Sequence, residues 1–127
     1  MSETQKKQVQ TFERKLRLLS AEDYQFVFAS AQRFGNHSFT ILVRENSLNY
    51  ARLGLAISKK NSKKAVDRNR IKRKFRESFR MNKNKLPNVD IIAMSRQSAN
   101  LLDNKEMQTQ IELQWHFIQK KFTKLNN

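Results

Sequence analysis

Cysteine is absent from the 127 residues, and the chain has only one proline, two glycines and two histidines. Without thiols, neither a disulfide framework nor a thiolate zinc site is available. With only His37 and His116 no histidine metal centre is expected, and His116 reads as a surface or partner-facing residue. No apolar run approaches the roughly eighteen residues of a membrane helix, and the opening MSETQKKQVQTF lacks the apolar stretch of a secretory signal. The cytoplasm is therefore the expected compartment. Acids are scarce as well: 11 Asp and Glu face 26 Lys and Arg. Asp67, Glu77 and Asp90 have no spacing of paired catalytic or metal-binding carboxylates, and neither histidine has an evident partner. No catalytic residue and no metal site of the protein's own is expected.

What is present is one domain's length with a core to match. Apolar residues make up 38%, including nine Phe and one Trp, which favours a folded middle. A single domain over 1–127 is expected, with flexible ends at 1–14 and 123–127 and with Phe12 as a solitary anchor in the first of them.

The charge is concentrated. The run from Lys59 to Arg80, KKNSKKAVDRNRIKRKFRESFR, carries eleven basic residues against Asp67 and Glu77, so +9 of the net +15 lies in twenty-two residues. From about Ser62 it reads as a helix, because Ile71, Phe75 and Phe79 recur every four residues along one stripe. At about 100° per residue, Asn69, Arg73, Arg76 and Arg80 fall roughly opposite that stripe, and Arg70 and Lys74 widen the cationic face. Arg68 falls over the apolar stripe instead, where either a carboxylate or carbonyl of the sheet or a place at the rim would suit it. Ser62 is the candidate N-cap. Lys63 and Lys64 would then sit in the first turn, where cations oppose the helix dipole by about 0.3–1 kcal/mol each. Like-charge pairs such as Lys72 with Arg76 and Arg76 with Arg80 add a few tenths of a kcal/mol against the isolated helix. Nucleic-acid phosphates would remove these penalties, and Asn69 could address a base edge or a sugar. The apolar stripe is too narrow for a membrane-surface helix, so no membrane partner is expected.

The rest of the chain supplies elements for that helix to pack on. Ser20 is the expected N-cap of an earlier helix, with Glu22 and Asp23 in its first turn and Tyr24, Val27, Phe28 and Ala31 on one face, ending at Gly35-Asn36. Tyr24 and Phe28 have two readings: both rings fill the core, or one or both stack on unpaired bases at a groove edge. Phe26 lies off that face. SFTILVREN and ARLGLAIS read as two antiparallel strands joined around Asn46 to Asn49. Leu53, Leu55 and Ile57 would face one way, and Arg52, Gly54, Ala56 and Ser58 the other. That small-residue face would either admit an approaching backbone or lie beneath a helix. VDIIAMS has the near-continuous apolar pattern of an interior strand. A last helix runs from an N-cap at Asp103 to about Lys121, with Met107, Ile111, Leu113, Trp115, Ile118 and Phe122 as its apolar face. The order predicts an α+β sandwich with one small sheet.

The motif Ala65-Val66, Arg68-Asn69-Arg70-Ile71-Lys72-Arg73 and Arg76-Glu77 resembles that of the protein subunit of bacterial ribonuclease P. RKLRLLSAEDYQFVF, LGLAISKKN, DIIAMS and the Trp-bearing last helix resemble the same family in the same order. The resemblance implies an αβββαβα two-layer, ribosomal-protein-like fold with a left-handed βαβ crossover, the third strand being a short one near Gly35 or a split of the two above. It implies an RNA-binding subunit of a ribonucleoprotein endonuclease that removes the 5′ leader of precursor tRNA, with catalysis by the RNA and Mg²⁺ bound mainly by that RNA. The partners implied are the catalytic RNA and precursor tRNA, with no DNA. Lys63, Lys64, Arg68, Asn69, Arg70, Lys72, Arg73 and Arg76 would bind the catalytic RNA; Tyr24, Phe28, Arg52 and Ser58 would meet the leader. Composition alone equally permits a ribosomal or other structured-RNA-binding protein, or a DNA-binding module with the basic helix in a major groove.

Overall fold

The computed structural model describes residues 15–18 and 20–123, so the expected flexible end at 1–14, with Phe12, and residues 124–127 lie outside it. Helix α1 spans Ala21–Ala29, and its capping box is complete. The Asp23 N–H donates to Ser20 Oγ at 3.1 Å, and the Ser20 N–H donates to the Asp23 carboxylate at 3.4 Å. The helix ends six residues earlier than the glycine would place it, because Ser30 donates its N–H back to the Val27 carbonyl and Gln32–Gly35 goes into strand β1. Gly35-Asn36 is therefore a hairpin turn and not a helix stop. Asn36 Oδ1 accepts from the N–H groups of Ser38 and Phe39, both at 2.9 Å. Any β-carbon on Gly35 would meet the Phe39 carbonyl oxygen at 2.7 Å, so the turn admits only glycine without a shift.

Strands β2 (Phe39–Glu45), β3 (Arg52–Leu55) and β4 (Val89–Ser95) complete a four-stranded sheet of order β1-β2-β4-β3. β2 and β3, read from sequence as an antiparallel pair, are not neighbours. β4 lies between them, antiparallel to β2 and parallel to β3. An apolar strand buried on both faces gains most from the central position, and six of its seven residues are buried. The parallel pair β3 and β4 is joined through helix α2 (Ala65–Asn82), and helix α3 (Asn104–Thr123) follows β4. Asp103 caps α3 as expected, accepting from the Glu106 N–H at 2.7 Å. At the outer edge of β3, Leu53 donates to the Leu16 carbonyl and accepts from the Leu18 N–H, so residues 16–18 cover that edge.

Alternation along the strands gives the sheet two different faces. Phe39, Ile41, Val43, Leu53, Val89 and Ile91 join Ile71, Phe75 and Phe79 of α2 and Met107, Ile111, Trp115 and Ile118 of α3 in one core. Phe75 is its hub: its ring lies 5.1 Å from Phe39 and 6.2 Å from Trp115, both edge to face. Trp115 satisfies its indole N–H by donating to Ser78 Oγ at 2.8 Å. Leu113, assigned to this face from the sequence, is 48% exposed, because the buried stripe of α3 runs instead through Gln114. On the opposite face of the sheet, Ile92 of β4, Val27 of α1 and Leu18 form a small buried cluster.

Candidate nucleic-acid interface

The packed stripe of α2 forms as its spacing predicts, with Ile71 and Phe75 fully buried and Phe79 nearly so. Its start differs. Ser62 is not the N-cap; it is buried, donating its N–H to the Ser58 carbonyl at 3.0 Å and its hydroxyl to Asn100 Oδ1 at 2.6 Å. Asn100 donates in turn to the Asn61 carbonyl, and Asn61 to the carbonyl of Ser95. This polar web moors the KKNSKK loop to the end of β4 and holds Ser62 out of the helix, which begins at Ala65 with Lys64 as an N-cap lacking a side-chain bond.

The motif cations divide into two groups. Arg68 Nη1 donates to the carbonyls of Ser62 and Lys63 at 2.9 and 2.8 Å, so the residue over the apolar stripe turns back to brace its own approach loop. Arg70 donates to the Leu102 carbonyl at 2.7 Å and to Asn104 Oδ1 at 3.1 Å, which ties α2 to the start of α3. Lys63, Lys64, Asn69, Arg73 and Arg76 are exposed, and their side chains have no hydrogen-bond or ion-pair partner among the described residues; neither has that of Lys72, half-buried on the flank. The helix thus presents unpaired positive charge on a rigid support, the arrangement that polyanionic backbones seek.

The residues expected at the leader do not act alike. Phe28 stands 52% exposed on α1, one position from buried Val27. Tyr24 is half-buried, and its hydroxyl both donates to the Leu55 carbonyl at 3.3 Å and accepts from the Leu55 N–H at 3.0 Å. A β-carbon on Gly54 would meet the tip of Tyr24 at 2.9 Å, so the small-residue face lies beneath this ring rather than standing open. Ser58 is exposed and accepts from the Asn61 N–H at 3.2 Å. Arg52 is occupied: it forks onto fully buried Asp90 at 2.9 and 2.7 Å and lies 3.6 Å from Asp23 on α1. Hydrogen bonding to Asp90 raises its pKa above the ordinary arginine value, against the opposing effect of burial. Asn46 Nδ2 adds a further bond to the same carboxylate at 2.9 Å.

Sequence reasoning missed this clasp, although one signal was available: a lone acid inside an apolar strand needs a cation across the sheet. Phe26 also finds an explanation, since the Arg44 guanidinium lies 3.6 Å from its ring centroid and donates to its carbonyl. Among the described residues no group of three or more His, Asp and Glu gathers that could hold a metal ion, and no helix is long and apolar enough to cross a membrane.

Comparison with known proteins agrees with this arrangement. The family model for ribonuclease P matches residues 12–119. The ribonuclease P protein component of Aliivibrio fischeri is 50% identical over 105 residues, covering 83% of this chain and 90% of the relative. Among solved structures, an RNase P protein of Staphylococcus aureus superposes with a TM-score of 0.72 at 32% identity, over 76% of this chain and 89% of the other. The RNase P protein of Thermotoga maritima, solved with 1-(4-fluorophenyl)-2-thiourea, gives 0.71 at 31% identity, over 78% and 96%. With its fold, its basic helix and its relatives in agreement, the chain belongs to the ribonuclease P protein family.

Proposed function

We propose that the exposed cations of α2 grip the catalytic RNA of ribonuclease P while the α1 side of the sheet receives the 5′ leader of precursor tRNA. As a family member the chain is a subunit of a tRNA-processing ribonucleoprotein endoribonuclease. The observation that carries the reading is the face formed by the unpaired side chains of Asn69, Lys72, Arg73 and Arg76, with Lys63 and Lys64 just ahead of them, on a helix whose other side is anchored in the core. Arg68 and Arg70 hold that face in register through the loops they brace and offer their remaining N–H groups to RNA. On the other side, Phe28 offers its open ring to an unpaired base, at about 1–3 kcal/mol per stacked base. Tyr24 fixes the helix that carries it, Ser58 lies at the margin, and Arg52 sets the position of α1. Phosphodiester hydrolysis falls to the RNA, which holds the Mg²⁺; Asp90, the fully buried carboxylate among the described residues, is already engaged by Arg52 and Asn46. The complex works in the cytoplasm.

Reconstitution tests the division of labour. The protein alone should leave precursor tRNA intact, and adding it to the cognate RNA should restore cleavage at low Mg²⁺. Trimming the leader should weaken substrate binding by the complex. Robust cleavage by the RNA-free protein, or affinity indifferent to leader length, would overturn the assignment.

A further inference from the structure

A cleft of 190 Å³ opens between α2 and the edge formed by β3 and residues 16–18. Leu16, Leu53 and Phe79 give it an apolar lining, and Lys72, Arg76 and Arg80 line it from α2. The three cations recur every four residues, so they project along one stripe of the helix. None of their side chains has a hydrogen-bond or ion-pair partner among the described residues, and each adjacent pair repels. The volume lies below the about 300–1,000 Å³ of pockets for drug-sized ligands. It suits one flat heterocycle, and the charge along one wall suits the phosphates on either side of it.

We propose that this cleft takes one unstacked nucleotide of the catalytic RNA, its base against the apolar lining and its flanking phosphates on Lys72, Arg76 and Arg80. The inference rests on the function proposed above and adds base capture to phosphate binding by the same helix. The catalytic RNA is the occupant because the cationic wall is α2 itself; Tyr24 of α1 also lines the cleft, with its hydroxyl held on the Leu55 backbone, but Phe28, the exposed ring assigned to the leader, does not. Stacking of this kind tolerates any base, so the contact fixes where the RNA strand is splayed without reading its sequence.

The absence of cysteine makes the test direct. Leu55→Cys, on the half-buried lip of the cleft, carries a single azidophenacyl photo-cross-linker; Lys72→Cys carries it from the opposite wall should the first variant fold poorly. In the complex with ribonuclease P RNA, irradiation should join either label to the same one or two adjacent unpaired nucleotides, and Arg73→Cys, outside the cleft, should mark different ones. Cross-links to the precursor tRNA leader, to the protein's own residues 1–14, or spread evenly over the RNA would each overturn the proposal. In a second arm, Arg76→Gln with Arg80→Gln should lower RNA affinity about tenfold or more and reduce the salt slope by roughly 1.4–1.8, two phosphate contacts' worth. An unchanged slope would remove the phosphates from the cleft. If the wild-type chain fails to bind the RNA at all, the proposed function fails; if it binds and the cleft labels miss the RNA, only this inference does.

Discussion

On the α2 and α3 side of the sheet, Phe39, Phe75, Phe79 and Trp115 interlock edge to face, and the one indole N–H among them is satisfied within the core. On the α1 side, three buried apolar residues are supplemented by the Asp23, Arg52 and Asp90 clasp and by the Tyr24 hydroxyl on the β3 backbone. The first side is held by volume and the second by paired charge and hydrogen bonds. The difference places rigidity beneath the helix that carries free cations, and leaves the helix that carries Phe28 attached by a few polar contacts that can be removed one at a time.

The comparison is broken most severely from the packed side. Phe75→Ala removes the hub of a close-packed core and should cost about 3–5 kcal/mol, read as a lower urea midpoint with the whole domain unfolding together. Arg52→Ala should cost about 2–3 kcal/mol, somewhat below a fully buried pair because Arg52 keeps 19% of its side-chain exposure. Its signature is local: hydrogen exchange should show amides of residues 21–29 losing protection before those of β4, and leader-dependent substrate affinity should fall while RNA assembly persists. Loss of protection in α2 of the same size would show that the two sides are not separable. Tyr24→Phe should cost about 1–2 kcal/mol by leaving the Leu55 backbone groups without their shared hydroxyl. Denaturation of the single and the double variant with Arg52→Ala should reveal coupling between the two attachments, since both dock α1.

Several features were legible in the sequence because they depend on neighbours a few residues apart. Ile71, Phe75 and Phe79 make the buried stripe, Ser20 and Asp103 cap their helices, and VDIIAMS takes an interior position. β1 was hidden because QRFG has little apolar alternation and three of its four residues are exposed. Its pairing partner, and not its own pattern, makes it a strand. The sheet order was hidden for a related reason: a short loop favours pairing β2 with β3, but the more apolar β4 arrives later in the chain and inserts between them. Ser62 looked like a cap because serine usually is one there, and the Asn100 side chain, thirty-eight residues away, takes its hydroxyl instead.

By itself the sequence determined that this chain carries a dense cationic helix with one face to pack, and that its motif is that of a known family. Only the tertiary structure decided which cations are free. Arg68, Arg70 and Arg52 are drawn to carbonyls and to a buried carboxylate, two of them on partners more than thirty residues distant, while the side chains of Arg73, Arg76 and Arg80 find none among the described residues. The physical reason is that charge is a property of composition, whereas the desolvation and pairing of each charge depend on which distant segments the fold brings within hydrogen-bonding reach.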